Sequence, residues 1–323
     1  MGTIVLGTEN PSTASSRRSR RPGRAAWPFL RPAWAPVTPA WHTHFMNGRQ
    51  LSELGSDTSA GGATHAARSS RHGRLDQQAP PRPLWRYRSI RLALAVLTRA
   101  YADFDVEGAQ LLPAGPSILC FSHQNWIDPF FLIPAFPARP RTHFFGPEQE
   151  DMTRGFRNRL MRWAGVAVPY RPGRRGLIAA TLRVEELLAA GDCLAIAGEG
   201  RIHAGEGVVL PLLEGPAHLA LRSGVPLVPV AINGTSWLAF RRRVRVRIGQ
   251  PIEPVAEGSR RPTAVAVETL TAEARAALLG LVADFPDPPR SRWIGGRLTE
   301  LFNDWPEGAR PPVPPRTAAG ADT

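Results

Sequence analysis

Apolar and polar positions along the 323-residue chain change texture at residue 83. Residues 1–82 keep no period of 2 or 3.6 and are rich in Ser, Gly, Pro, Ala and Arg, a composition that predicts a disordered tail. From Leu84 the spacing turns helical. Leu84, Tyr87, Ile90, Leu94, Leu97 and Tyr101 recur three or four residues apart with Arg86, Arg88, Arg91 and Arg99 among them, predicting a basic amphipathic helix. Beyond it, short apolar runs alternate with longer periodic ones. Ser117 to Phe121 reads as a buried strand and Phe130 to Phe136 as a helix. THFFG (142–146) is a short strand, and TRGFRNRLMRWAG (153–165) a helix with Phe156, Leu160 and Trp163 on one face and Gly165 as its stop. VAVPY (166–170) is a strand, GLIAATLRVEELLAAG (176–191) a helix ended by Gly191, and CLAIAG (193–198) a buried strand. GPAHLALRSG (215–224) makes a short helix and PLVPVAI (226–232) the next strand. RRVRVRIG (242–249) alternates Val244, Val246 and Ile248 with Arg243, Arg245 and Arg247, a strand with one wet, basic face. PTAVAVETLTAEARAALLGLVADF (262–285) is a long helix. The alternation predicts an α/β domain over residues 83–305, a mostly parallel sheet flanked by helices. A Pro-rich disordered tail, 306–323, follows it.

Charge sharpens this picture. The net charge is +13, and all forty basic residues are arginine. A chain without lysine has no P-loop lysine, no Schiff-base lysine and no pyridoxal phosphate site. Residues 1–82 hold eleven arginines against four carboxylates, which suits nucleic acid or anionic lipid, although the plainer reading is an unstructured extension. The basic helix at 84–101 fits two settings, packing on its own core or lying among the headgroups of an anionic membrane. Cys120 and Cys193 fall in apolar runs, as buried reduced thiols do. Cys120 and His123 form C-x-x-H with no second ligand pair at zinc-site spacing, so neither a metal nor another cofactor is expected. No run approaches the roughly 18 apolar residues of a membrane span, and the first residues lack a signal peptide's pattern. A cytoplasmic location is expected, peripheral on the inner face of the cytoplasmic membrane.

The chemistry concentrates where the apolar run 116–136 is broken by Ser122, His123, Gln124, Asn125 and Asp128. His123 and Asp128 are offset by about 140° on an ideal helix, so one continuous helix would not align them. A strand exit followed by a helix start would, with Asp128 capping the helix and Pro129 at its first position. A carboxylate on one ring nitrogen sets the tautomer and raises the basicity of the other, making a general base for a hydroxyl. The competing reading is a helix cap beside a satisfied buried histidine. Three further stretches bear on the choice. AIAGEGRIHAGEGVVLPLLEG (195–215) ends a buried strand in Gly198-Glu199-Gly200-Arg201, where glycines let main-chain N–H groups approach an anion and arginine recognises phosphate. GVPLVPVAINGT is an apolar strand punctuated by Pro226 and Pro229, and GVAVPYRPG places Arg171 just past a strand.

Together, in this order, the four stretches resemble the blocks of the glycerolipid acyltransferase family, the lysophosphatidic acid acyltransferase-like group. N-H-x4-D is similar to Ser122 to Asp128, and the block of glycine, short strand and arginine to Gly165 to Arg171. F-P-E-G-T-R-S resembles Ala197 to His203, and the V-P-rich strand Val225 to Val230. Ser122 stands where the family has asparagine and Gly198 where it has proline, and Arg201 comes one residue earlier than the family's arginine. The resemblance implies a glycerol-3-phosphate acyltransferase-like fold and transfer of a fatty acyl group from acyl-CoA or acyl carrier protein to a lysophospholipid hydroxyl, with 1-acylglycerol-3-phosphate the leading acceptor. It implies that His123 is the base and Asp128 its orienting partner. Glu199 and Gly200 would help bind the acceptor, and Arg171 and Arg201 its phosphate. No G-x-S-x-G is present, which argues against an α/β-hydrolase. A non-catalytic Arg-rich binder of nucleic acid or anionic membrane is the reading from another class. It accounts for the tail and the charge but not for His123, Asp128 or Glu199, so a membrane surface is an expected partner and nucleic acid is not.

Overall fold

In a computed structural model of the chain, the structure describes residues 83–147, 155–171, 173–203, 205–255 and 262–282, with 285 and 299. The tails expected to be disordered lie outside these residues. The described elements run α1 (Leu84–Tyr101), β1 (Asp103–Glu107), β2 (Ile118–Phe121), α2 (Asp128–Ala135), β3 (Thr142–Pro147), α3 (Gly155–Ala164) and β4 (Ala167–Tyr170). They continue α4 (Arg174–Ala189), β5 (Cys193–Ala197), α5 (Gly215–Ser223), β6 (Leu227–Asn233), β7 (Arg243–Ile248) and α6 (Ala264–Val282). A short 3₁₀ turn, Ala109–Leu111, separates β1 from β2.

The strands form one sheet in the order β1-β7-β6-β2-β5-β3-β4. β6, β2, β5, β3 and β4 are mutually parallel, while β7 returns antiparallel to β6 and β1 runs parallel to β7. The central strands are apolar at nearly every position because both faces are covered. Leu119 and Phe121 point into a core with Tyr87 and Ile90 of α1, Phe131 to Ile133 of α2, Phe136 just beyond it, and Met161 of α3. Ile118 and Cys120 point the other way, into a core with Val184 of α4, Leu219 of α5, and Leu270 and Leu278 of α6.

Two expectations are corrected. On α1 the buried positions are Tyr87, Ile90, Leu94 and Thr98, while Leu97 is 61% exposed. The buried stripe advances by four residues from Ile90 to Leu94 to Thr98, and the Thr98 hydroxyl is satisfied by donating to Leu94 C=O (2.7 Å). The basic face of β7 is only partly wet: Arg243 is exposed, while Arg245 and Arg247 are covered because β1, which the apolar pattern does not pick out, supplies matching acids. Arg243, Arg245 and Arg247 register against Asp103, Asp105 and Glu107. Arg245 lies 3.2 Å from Glu107, Arg247 3.0 Å from it, and both arginine side chains are only 12% exposed. A one-residue slip would set these arginines opposite Phe104 and Val106, so the charges specify the register. Phe156 falls where side chains are not described, while Trp163 of the same expected face is 39% exposed.

All five parallel strands end on the same edge of the sheet, which is where open α/β sheets bind their ligands. His123 follows β2, Gly198 to Arg201 follow β5, Arg171 follows β4, and the loop 234–242 follows β6. The fold therefore brings these sequence-distant blocks to one edge.

Candidate active site

His123 leaves β2 two residues after its end and turns its ring back toward the start of α2. Nδ1 lies 2.9 Å from Asp128 Oδ2, with the histidine side chain 17% exposed and the aspartate fully buried. The same Oδ2 accepts the main-chain N–H groups of Gln124 (2.8 Å) and Asn125 (3.0 Å). These donors hold the carboxylate while Nδ1–H donates to it, which leaves Nε2 as the ring nitrogen to meet a hydroxyl. The Phe121 ring stands edge-on to the imidazole at 5.5 Å, packing one side of it.

Asp128 is not the cap of α2. It is the first helical residue, with Pro129 behind it and Ile127 at the flanking position, and its carboxylate points backward to the strand exit. Asn125 organises the turn instead. Its Oδ1 accepts Ile127 N–H (3.1 Å), its C=O accepts Asp128 N–H (2.9 Å), and its amide donates to Thr235 C=O (3.0 Å). This frees Asp128 for the imidazole.

The loop after β5 packs against that turn. Gly198 has no room for a side chain, since a Cβ there would lie 2.6 Å from Cys120 Sγ and 3.0 Å from Leu212. Glu199 is buried, accepting His123 N–H on Oε2 (2.9 Å) and Leu210 N–H on Oε1 (2.8 Å). Burial, together with the Glu199 charge, pushes the Cys120 thiol up to about 12, so this cysteine is an inert packing group. Gly200 makes the turn with a left-handed φ of 64°, and its N–H donates to Ala197 C=O (3.3 Å). Arg201 is exposed beside half-buried Ile202. Arg171 is exposed past β4 and makes further polar contacts of its own. β4 is three places from β2 in the sheet, about 14 Å at ordinary strand spacing. The structure thus joins His123, Asp128 and Glu199 directly, places Gly200 and Arg201 next to them, and sets Arg171 apart.

Several site residues escape sequence reasoning. Ser122 bridges to β6, its Oγ accepting Ile232 N–H (3.0 Å), which is the work done at the position where the resembled family carries asparagine. Gln124 is buried and donates to Gly205 C=O (2.9 Å). Glu206, fully buried, accepts from Asn233 (3.3 Å), Gly234 N–H (2.8 Å), Ser236 and Arg242 (3.0 Å). It ties the loop after β5 to the loop after β6. Its one trace in the sequence is a carboxylate between two glycines in an apolar run, 204–210.

Comparison with known proteins finds a family and a solved structure similar to this chain. Residues 103–233 match the family described as Acyltransferase, a span that contains all four blocks. Over that span the chain is similar to the acyltransferase family. Among solved structures, it is similar to the 1-acyl-sn-glycerophosphate (LPA) acyltransferase PlsC from Thermotoga maritima at 20% identity and a TM-score of 0.49, covering 62% of this chain and 81% of that one. No curated protein sequence matches the chain.

Proposed function

We propose that this domain transfers a fatty acyl group from a thioester, acyl-CoA or acyl carrier protein, to the free hydroxyl of a lysophospholipid, with 1-acylglycerol-3-phosphate giving phosphatidic acid. The observation that carries the reading is the 2.9 Å pairing of His123 with a buried aspartate at the ligand-binding edge of the sheet. His123 Nε2 takes the proton of the acceptor hydroxyl, and Asp128 stabilises the imidazolium through Nδ1–H. The alkoxide oxygen attacks the thioester carbonyl carbon directly. The tetrahedral intermediate collapses to an ester, and the leaving thiolate recovers the proton from His123.

The acceptor phosphate is assigned to Arg201, exposed beside the base. Arg171 lies three strand spacings from the base and reaches the same group only by its long side chain, and so suits a larger headgroup or the donor's phosphates equally well. Acceptor choice is decided by a panel of lysophospholipids with one acyl donor, the products read by mass spectrometry.

The membrane reading of α1 also gains support. Trp85, Leu92 and Val96 are 56%, 67% and 61% exposed. They fall within about 40° of one another on the helix, with Arg88 and Arg99 on the same flank. Trp163 of α3 meets Trp85 edge-on at 5.7 Å, and Arg86 lies 5.6 and 5.5 Å from the two rings. Among the described residues no helix is long and apolar enough to cross a membrane. A basic face with tryptophans suits one that lies in the headgroup layer, on the inner face of the cytoplasmic membrane.

The deciding experiment is acyl transfer from labelled acyl-CoA to lysophosphatidic acid. His123→Ala is expected to abolish it, and a His123→Ala protein that keeps wild-type turnover would overturn the proposed base.

A further inference from the structure

We propose that Glu199 and His203 are positioning residues that grip the main chain of His123, so that Glu199 acts through the base and not as a ligand of the acceptor. The inference rests on the general-base reading of His123.

The peptide on either side of His123 is held at both of its polar groups. Its N–H donates to Glu199 Oε2 at 2.9 Å, and its C=O accepts His203 N–H at 3.2 Å. Both contacts come from the loop after β5, not from the strand that carries the base. Glu199 has little left to offer a substrate. Oε1 accepts Leu210 N–H at 2.8 Å and lies 3.0 Å from His203 Nε2. Glu199 and His203 are 4% and 3% exposed.

The ring of His203 is oriented in turn. Its Nδ1 accepts Gly205 N–H at 3.2 Å, so the neutral ring carries its proton on Nε2, the atom facing Glu199. That Nε2 stands within ion-pair distance of Oε1 but off the line of a hydrogen bond. Gly205 C=O accepts the amide of Gln124 at 2.9 Å, and Gln124 is the residue next to His123. The chain of contacts therefore starts at the base, passes through Glu199, His203 and Gly205, and returns to the base's neighbour. The imidazole makes this closure with one ring nitrogen toward each side. The serine found at this position of the resembled block is too short to reach both Glu199 and the Gly205 N–H.

The mechanical consequence is specific. Asp128 orients the ring of His123, and the brace fixes the backbone from which the ring springs. Displacing a reacting group by about 1 Å costs on the order of 100-fold in rate while leaving ground-state binding largely intact. A Glu199→Gln side chain has one acceptor oxygen for two main-chain N–H groups, so its amide must confront one of them donor to donor.

The test is steady-state kinetics on the full chain with lysophosphatidic acid. Glu199→Gln should lower kcat about 10- to 100-fold with KM for the acceptor unchanged within about twofold. His203→Ala should lower kcat in the same manner, and His203→Gln, whose amide N–H reaches toward Glu199, should restore most of it. The His203 pair decides the matter if Glu199→Gln does not fold. A rise in acceptor KM of tenfold or more at unchanged kcat would make Glu199 an acceptor ligand and overturn the proposal, and so would unchanged kinetics in the variants. His123→Ala is run alongside. Wild-type turnover in that variant removes the general-base reading and the brace with it, whereas loss of turnover there with normal kcat in Glu199→Gln removes the brace alone.

Discussion

His123 and Asp128 work as a pair because a third residue, Asn125, takes over the capping of the turn between them. Two main-chain N–H groups and Nδ1 share one carboxylate oxygen, so Asp128→Asn can keep these contacts with its amide oxygen but loses the negative charge that stabilises the imidazolium. A fall in kcat of about 100-fold or more is expected from that substitution, at near-normal acceptor KM, by the same acyl-transfer assay. Gly198 shows a different kind of constraint. The resembled block carries proline there, yet in this chain a Cβ would meet the buried Cys120 Sγ at 2.6 Å. Gly198→Ala should cost about 1–3 kcal/mol of stability by urea unfolding. Pairing it with Cys120→Ala should recover part of the loss, because the clashing sulfur is then gone. Full additivity of the two losses would show that the contact is not the cause.

At the scale of elements, α5 carries a buried histidine that hydrogen bonds do not explain. His218 Nδ1 has no hydrogen-bond partner among the described residues, and burial, aided by the Arg222 charge, lowers its pKa from the ordinary 6.5 to about 4. Between those values the unfolded chain holds a proton that the folded chain does not. Stability is therefore at its full value above about pH 6.5 and falls as the pH drops toward 4. His218→Leu removes this term, so its urea midpoint should fall less between pH 7 and pH 5 than that of the wild type. An equal fall in the two proteins would place the pH sensitivity elsewhere. The pairing of β1 with β7 is a second lesson at this scale. Five-residue β1, with three acids among its residues, has too little apolar character to read as a strand. It exists because β7 offers an edge and three arginines in register.

For the whole molecule, the sheet's ligand edge and the exposed face of α1 are the two surfaces that the proposed acyl transfer would use. If α1 lies on a membrane, binding to vesicles containing anionic lipid should exceed binding to purely zwitterionic ones and weaken with salt. Replacing Leu92 and Val96 together by serine should weaken vesicle flotation several-fold, on the scale of the apolar area removed, while leaving the fold intact because both face outward. Undiminished flotation of that variant would move the membrane contact to another surface.

Much of this architecture was legible in the residues. Unbroken apolar runs announce strands covered on both faces, glycines at 165 and 191 end helices, and four blocks in order carry the resemblance that the family match supports. Those features depend on neighbours in sequence, so a linear reading reaches them. The distance between His123 and Asp128 also belongs here, since five residues and one turn settle it. The rest depended on partners far along the chain. Leu97 and Thr98 exchange places on α1 because the packing surface, not the apolar period, decides which positions are covered. The arginines of β7 are neutralised by β1, some 140 residues away in sequence. Glu199 accepts the main-chain N–H of His123, 76 residues distant. A sequence names the donors and acceptors, but which of them meet is decided when the strands fall into order, since a hydrogen bond requires an approach of about 3 Å that only the folded sheet provides.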